Sequence, residues 1–121
     1  MACPLFLPTS RLTDFEDLYG GECAREAGAL IPVDVLRECC NAGYARDSCR
    51  RAAQSDADAF RFQIKANREG VIDVAWSSER NHHPVAVGTL AVDCNHSIAE
   101  TGPLERQARA FAAAYLRQIG R

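Results

Sequence analysis

From Ala59 onward apolar and polar side chains alternate: Phe60, Phe62 and Ile64 stand against Arg61, Gln63 and Lys65. A period of two puts every apolar side chain on one face of a pleated strand, so this stretch must be half-buried β structure lying on a core. Asn67-Arg68-Glu69-Gly70 follows as a hairpin connection in which Gly70 can take a positive φ. Residues 71–76 are predicted as the partner strand, with Ile72, Val74 and Trp76 on its core face. After a polar tip over residues 77–83, Pro84 opens a third strand through Val92, because proline is tolerated at a strand's first position. These three strands make an antiparallel meander.

A sheet with one apolar face needs a cover. Residues 101–119 supply it, with Leu104, Ala108, Phe111, Ala112, Tyr115 and Ile119 at three- and four-residue steps. Thr101 or Gly102 caps this helix, Pro103 suits its first turn and Gly120 ends it. The expected fold class is therefore α+β, a three-stranded meander under a carboxy-terminal amphipathic helix. At 121 residues the chain fits one domain with one core. Residues 1–55 are its cysteine-rich segment, expected to bind a metal and to wrap against the rest through it; residues 56–121 are the meander and helix.

The first segment is predicted to be mostly irregular or short-helical. Gly20-Gly21 and Asn41-Ala42-Gly43 read as turns. A short helix over residues 31–40 places Leu36 and Cys40 on one face, and a further helical turn or two over residues 44–53 leaves Arg46, Arg50 and Arg51 solvated. Those arginines form a small basic patch beside Cys49 that would suit an anionic partner or a negatively charged cluster.

Five of the six cysteines, Cys3, Cys23, Cys39, Cys40 and Cys49, lie in this segment; Cys94 stands apart. Residues 1–12 show no basic leader before a continuous apolar run, since Pro4 and Pro8 interrupt it, so a reducing cytoplasm is the expected setting and the cysteines are expected as thiols. No segment reaches the roughly 18 apolar residues that span a bilayer, and the 14 basic and 16 acidic residues nearly cancel. Neither a membrane nor a nucleic acid is implied as a partner. A protein partner is compatible with the sequence, which names neither it nor an oligomeric state.

Thiolate sites take four ligands, and Cys3, Cys23, Cys40 and Cys49 supply them, with Cys39 as alternate to Cys40. Vicinal cysteines do not easily share one corner of a tetrahedron, so one of the pair ligates and the other packs. No pair is spaced Cys-x-x-Cys, the knuckle of zinc ribbons, whereas a cluster can gather dispersed loop cysteines; [4Fe-4S] is preferred and zinc is the alternative.

Cys-Pro-Leu-Phe at Cys3, a lone Cys23 after Gly-Gly, Pro32, then Cys40, Tyr44 and Cys49 resemble small bacterial cysteine-rich proteins that share Cys-Pro-x-Phe, a middle cysteine, a proline, and then Cys, Tyr and Cys. The resemblance covers the first 50 residues and departs from the pattern at Arg50, where many such proteins carry proline. It implies four metal-ligating cysteines at Cys3, Cys23, Cys40 and Cys49, and no particular reaction.

Three functions follow: a metal-centre protein for electron transfer, sensing or structure; a metal-free interaction module whose cysteines are small core residues; and a cysteine-histidine enzyme built on Asp93, Cys94 and His96 with His82 and His83 nearby. Enzyme chemistry is the least supported, because no family signature surrounds Cys94 and the two histidines precede Pro84 at a turn. Gly20-Gly21 lacks the lysine of a phosphate loop, which leaves nucleotide binding unsupported.

Overall fold

The computed structural model describes residues 2–12, 18–25, 28, 30–93 and 102–119. Strands β1 (Phe6–Arg11) and β2 (Tyr19–Cys23) pair antiparallel; β3 (Ala59–Arg68), β4 (Val71–Arg80) and β5 (His83–Asp93) form an antiparallel meander in that order; helix α2 (Pro103–Ile119) closes the fold. Between the sheets lie a short helix, α1 (Val33–Val35), that widens into a π turn at Leu36–Cys40, and a 3-10 turn at Ala52–Gln54.

The meander and its helix match the alternation read from the sequence. Phe62 pairs with Trp76 and Ile64 with Val74, and Ile72 and Val74 are completely buried beneath α2. Each such burial stabilises the fold by about 1.5–3 kcal/mol. Ala108 and Ala112, also fully buried, let the helix backbone approach the sheet, with Phe111, Tyr115 and Leu116 packed at the sides. Ile119, expected in the stripe, is exposed. Trp76 lies over Gly88 of β5, where a Cβ would come within 2.7 Å of the indole.

The expected polar tip over residues 77–83 is instead mostly strand. Pairing continues to Arg80 opposite His83, past a bulge between Ser78 and Glu79, and the connection shrinks to Asn81-His82. Both residues have positive φ, 52° and 66°, the geometry that matches the twist of a two-residue hairpin. Glu79 drives this extension: it is buried, and its carboxylate is met by Arg61 and by the Tyr44 hydroxyl at 2.7 Å. Arg61 and Tyr44 hold that carboxyl below its usual range. His82 stacks on Tyr44, with ring centroids 4.4 Å apart.

The first segment is more regular than expected. Its hairpin escaped the sequence because Pro8 interrupts β1 and Gly20-Gly21, read as a turn, lies inside β2 opposite Ser10 and Pro8. Gly21 is required there, since a Cβ would stand 2.1 Å from the Leu7 carbonyl oxygen. The helical turn expected over residues 44–53 is a series of turns ending in Ala52–Gln54. Arg46, expected to be solvated, is a clamp: it bonds Asp58 at 3.0 Å and the carbonyls of Ala53 and Ser55 at 2.8 Å.

Two apolar clusters result in place of one core. Cys3, Phe6, Leu18, Leu36, Cys39, Ala45 and Ala52 form the first; Ile72, Val74, Val92, Ala108 and Ala112 form the second. Direct contacts join them. Ala2 pairs with Phe60 through two backbone hydrogen bonds, of 3.1 and 2.9 Å, and α2 packs on β1 as well as on the meander. Gln107 of α2, 5% exposed, donates from Nε2 to the carbonyls of Cys3 (2.8 Å) and Phe6 (2.9 Å). Among the described residues no helix is long and apolar enough to cross a membrane.

Candidate metal centre

Cys3, Cys23, Cys39, Cys40 and Cys49 all line one cavity of about 20 Å³, together with Leu5, Phe6, Ile31, Val35, Arg51 and Ala52. Each reaches it from different local structure. Cys3 precedes a tight turn closed by Phe6 N to Cys3 O (3.0 Å), and its own amide donates to the Cys40 carbonyl at 3.0 Å. Cys23 ends β2 opposite Phe6, and Ala24 N is held by Leu5 O at 2.8 Å. Cys39 and Cys40 come from the π turn, whose i to i+5 bond runs from Asn41 N to Leu36 O at 2.9 Å. Cys49 sits on a turn fixed by its amide to Ala45 O at 2.7 Å.

The π turn alters the expected helix face. Widening it buries Leu36 and Cys39 and leaves Cys40 half-buried, and both vicinal cysteines reach the cavity. Asn41 fixes that turn to the hairpin: its Nδ2 donates to Tyr19 O (3.0 Å) and Leu36 O (2.9 Å), and its Oδ1 accepts from Tyr19 N (3.1 Å). Asn41 thus completes a strand edge with a side chain, and it fastens the Cys39-Cys40 turn to the strand that carries Cys23.

The thiols are electrostatically uneven. Burial pushes Cys3 up, reinforced by Cys23, Cys49 and Cys39 nearby. Burial, then Cys49, Glu38 and Asp34, raise Cys39. Burial and the neighbouring cysteines push Cys40 up to about 12. Cys49 runs the other way: burial raises it, but the amides of Ala52 and Arg51 and the Arg51 guanidinium outweigh that and lower it. Cys49 therefore ionises more readily than an ordinary thiol, while Cys3, Cys39 and Cys40 resist ionising.

All five described cysteines are free thiols. Among the described residues no three His, Cys, Asp or Glu side chains form a group that could hold a metal ion in this conformation. A cavity of about 20 Å³ takes one water-sized body. A body larger than that, such as a cluster, would require the lining to rearrange. Cys94 and His96 lie outside the described residues. His82 and His83 are exposed at the β4–β5 turn, and Arg51, read as part of a basic face, lines the cavity.

Sequence reasoning named neither Asn41 nor Gln107 for the bonds they make. Both act through backbone partners distant along the chain, for which no local pattern exists. No family model matches the chain, and no curated protein or solved structure matches it. Fold and cavity together define an α+β protein with a pocket lined by five thiols.

Proposed function

We propose that the chain is a small cytoplasmic metal-centre protein in which Cys3, Cys23, Cys40 and Cys49, with Cys39 as alternate to Cys40, hold one centre used for electron transfer, sensing or structure. One observation carries this reading: cysteines from four separate stretches of chain line a single small cavity. A [4Fe-4S] cluster is the first choice because the ligands are dispersed over loops and turns without a Cys-x-x-Cys knuckle. The small cavity speaks for zinc as the alternative. In either case the thiolate charge that burial opposes would be offset by the cation, and Arg51 would stabilise a centre of net negative charge.

A second reading, a metal-free interaction module, is favoured by the packing of Cys3 and Cys39 among Phe6, Leu36 and Ala52 as ordinary small core residues. Anaerobic purification with absorption spectroscopy and metal and sulfide analysis separates the two. Iron and sulfide in equal amounts with visible absorption establish a cluster, and one zinc per chain establishes zinc. A folded, colourless chain that takes up neither metal on reconstitution removes the metal reading.

A further inference from the structure

A second cavity, of about 460 Å³, lies between the β1–β2 hairpin, α2 and β3. We propose that it binds a small uncharged molecule with an aromatic or aliphatic body and a hydroxyl or N–H group, and that its occupancy is transmitted to the thiol-lined cavity through Phe6 and Gln107. The inference goes beyond the metal reading and stands without it.

The volume falls within the roughly 300–1,000 Å³ of small-molecule sites. The lining includes Phe6, Phe62, Ile64, Phe111 and Tyr115, and among the described residues it contains no charged side chain. Against those side chains a charged occupant would lose hydration without an ionic partner, whereas an apolar one gains contacts with the aromatic and aliphatic walls. Phe62 and Phe111, 5.7 Å apart and tilted by 33°, present aromatic surface to it.

Gln107 lines the same cavity, and among the described residues its buried Oε1 has no hydrogen-bond partner. Amide orientation is not in doubt, because turning it over would set that oxygen against the carbonyls of Cys3 and Phe6 that Nε2 now serves. An orphan buried acceptor is rare in folded proteins. A hydroxyl or N–H donor on the occupant would satisfy it. The oxygen is closed to solvent, so the donor reaches it only as Gln107 turns toward the groove, which slackens its hold on those two carbonyls.

The wall between the cavities is thin. Phe6 lines both, Ala2 lines the groove while Cys3 lines the thiol cavity, and Asn41 and Cys40 divide in the same way. Movement of this wall displaces Cys3 and Cys40 together.

The full-length chain is titrated with the neutral fluorophore N-phenyl-1-naphthylamine and competed with 4-butylphenol. Saturable binding displaced by the phenol is expected, weakened at least about tenfold by Ala114→Trp, which fills the groove, and unchanged by Val87→Trp on exposed β5. Circular dichroism and thermal melting establish that each variant is folded; Gln118→Trp at the rim serves if Ala114→Trp is not. Amide exchange over residues 3–6 is expected to quicken severalfold on saturation with 4-butylphenol. Absence of saturable binding, or a folded groove-filling variant that binds as the parent does, overturns the site. Saturable binding with unchanged exchange over residues 3–6 overturns the coupling.

Discussion

Replacing Gln107 tests how the two halves are joined. Its Nε2 makes bonds of 2.8 and 2.9 Å to Cys3 O and Phe6 O while its Oε1 has none. Gln107→Leu removes both bonds, each contributing about 1 kcal/mol, but also removes an unsatisfied acceptor that costs about 1–3 kcal/mol. Cys3 O keeps the Phe6 amide at 3.0 Å. Those terms nearly cancel, but Phe6 O, which faces away from β2, loses its Gln107 partner, so the variant should lose about 1–3 kcal/mol. Gln107→Glu keeps the shape but sets a carboxylate against two carbonyl oxygens away from water, and an uncompensated buried charge costs about 3–5 kcal/mol. Protonation returns one O–H donor. The introduced carboxyl has a pKa of about 4.3 in the unfolded chain and a higher one when folded, where burial and the carbonyls oppose its charge. The folded state binds that proton more tightly, so stability is retained below the unfolded value and lost as pH rises through the folded one. Urea unfolding at about pH 5 and pH 8 reads this directly: the leucine variant should show the same modest loss at both, and the glutamate variant should weaken sharply at the higher pH. A glutamate variant as stable as the leucine variant at the higher pH would refute the claim that this side chain grips the Cys3–Phe6 turn.

Gly21→Ala places a Cβ 2.1 Å from a backbone oxygen and should cost about 3 kcal/mol or more, with lost exchange protection over residues 19–23; Gly20→Ala meets only the movable Leu12 side chain at 3.1 Å and should cost under about 1 kcal/mol. Tyr44→Phe deletes the hydroxyl that donates to Glu79 at 2.7 Å and accepts from His82 N at 3.1 Å, a loss of about 1–3 kcal/mol in thermal or urea unfolding. Alkylation against pH in the metal-free chain, followed by mass spectrometry, should modify Cys49 first and Cys40 last, near pH 12. Since the Cys40 thiol is raised on folding, its contribution is full below the unfolded thiol value and is lost as pH climbs toward 12, so the metal-free chain should weaken over that alkaline window. Metal uptake near neutral pH should release protons, measurable in weakly buffered solution, because Cys3, Cys39 and Cys40 are held protonated.

The meander was legible because its information is local: alternation at Phe60, Phe62 and Ile64 specifies a face and Gly70 marks a turn, although Asn67 and Arg68, read as part of that connection, are strand residues paired with Ile72 and Val71. The β4–β5 turn was misjudged because Glu79 looks solvent-facing until Arg61 and Tyr44 are known to meet it. The pairing of β1 with β2 hid for the same kind of reason. Gly21 serves a close approach between strands, and that need appears only once the partner strand is in place.

The candidate site divides along the same line. Residue type alone nominated the cysteines, and composition did not say that they would share a cavity. That convergence rests on contacts of high sequence separation: Cys3 N to Cys40 O, Asn41 to Tyr19, and Gln107 to the Cys3–Phe6 turn. None of these uses a thiol. The thiol cavity is therefore positioned by backbone and amide groups that would persist if every cysteine were serine. Substitution of the cysteines should then abolish metal uptake well before it abolishes the fold, whereas loss of Asn41 or Gln107 should disturb the geometry while leaving all five sulfurs in the chain.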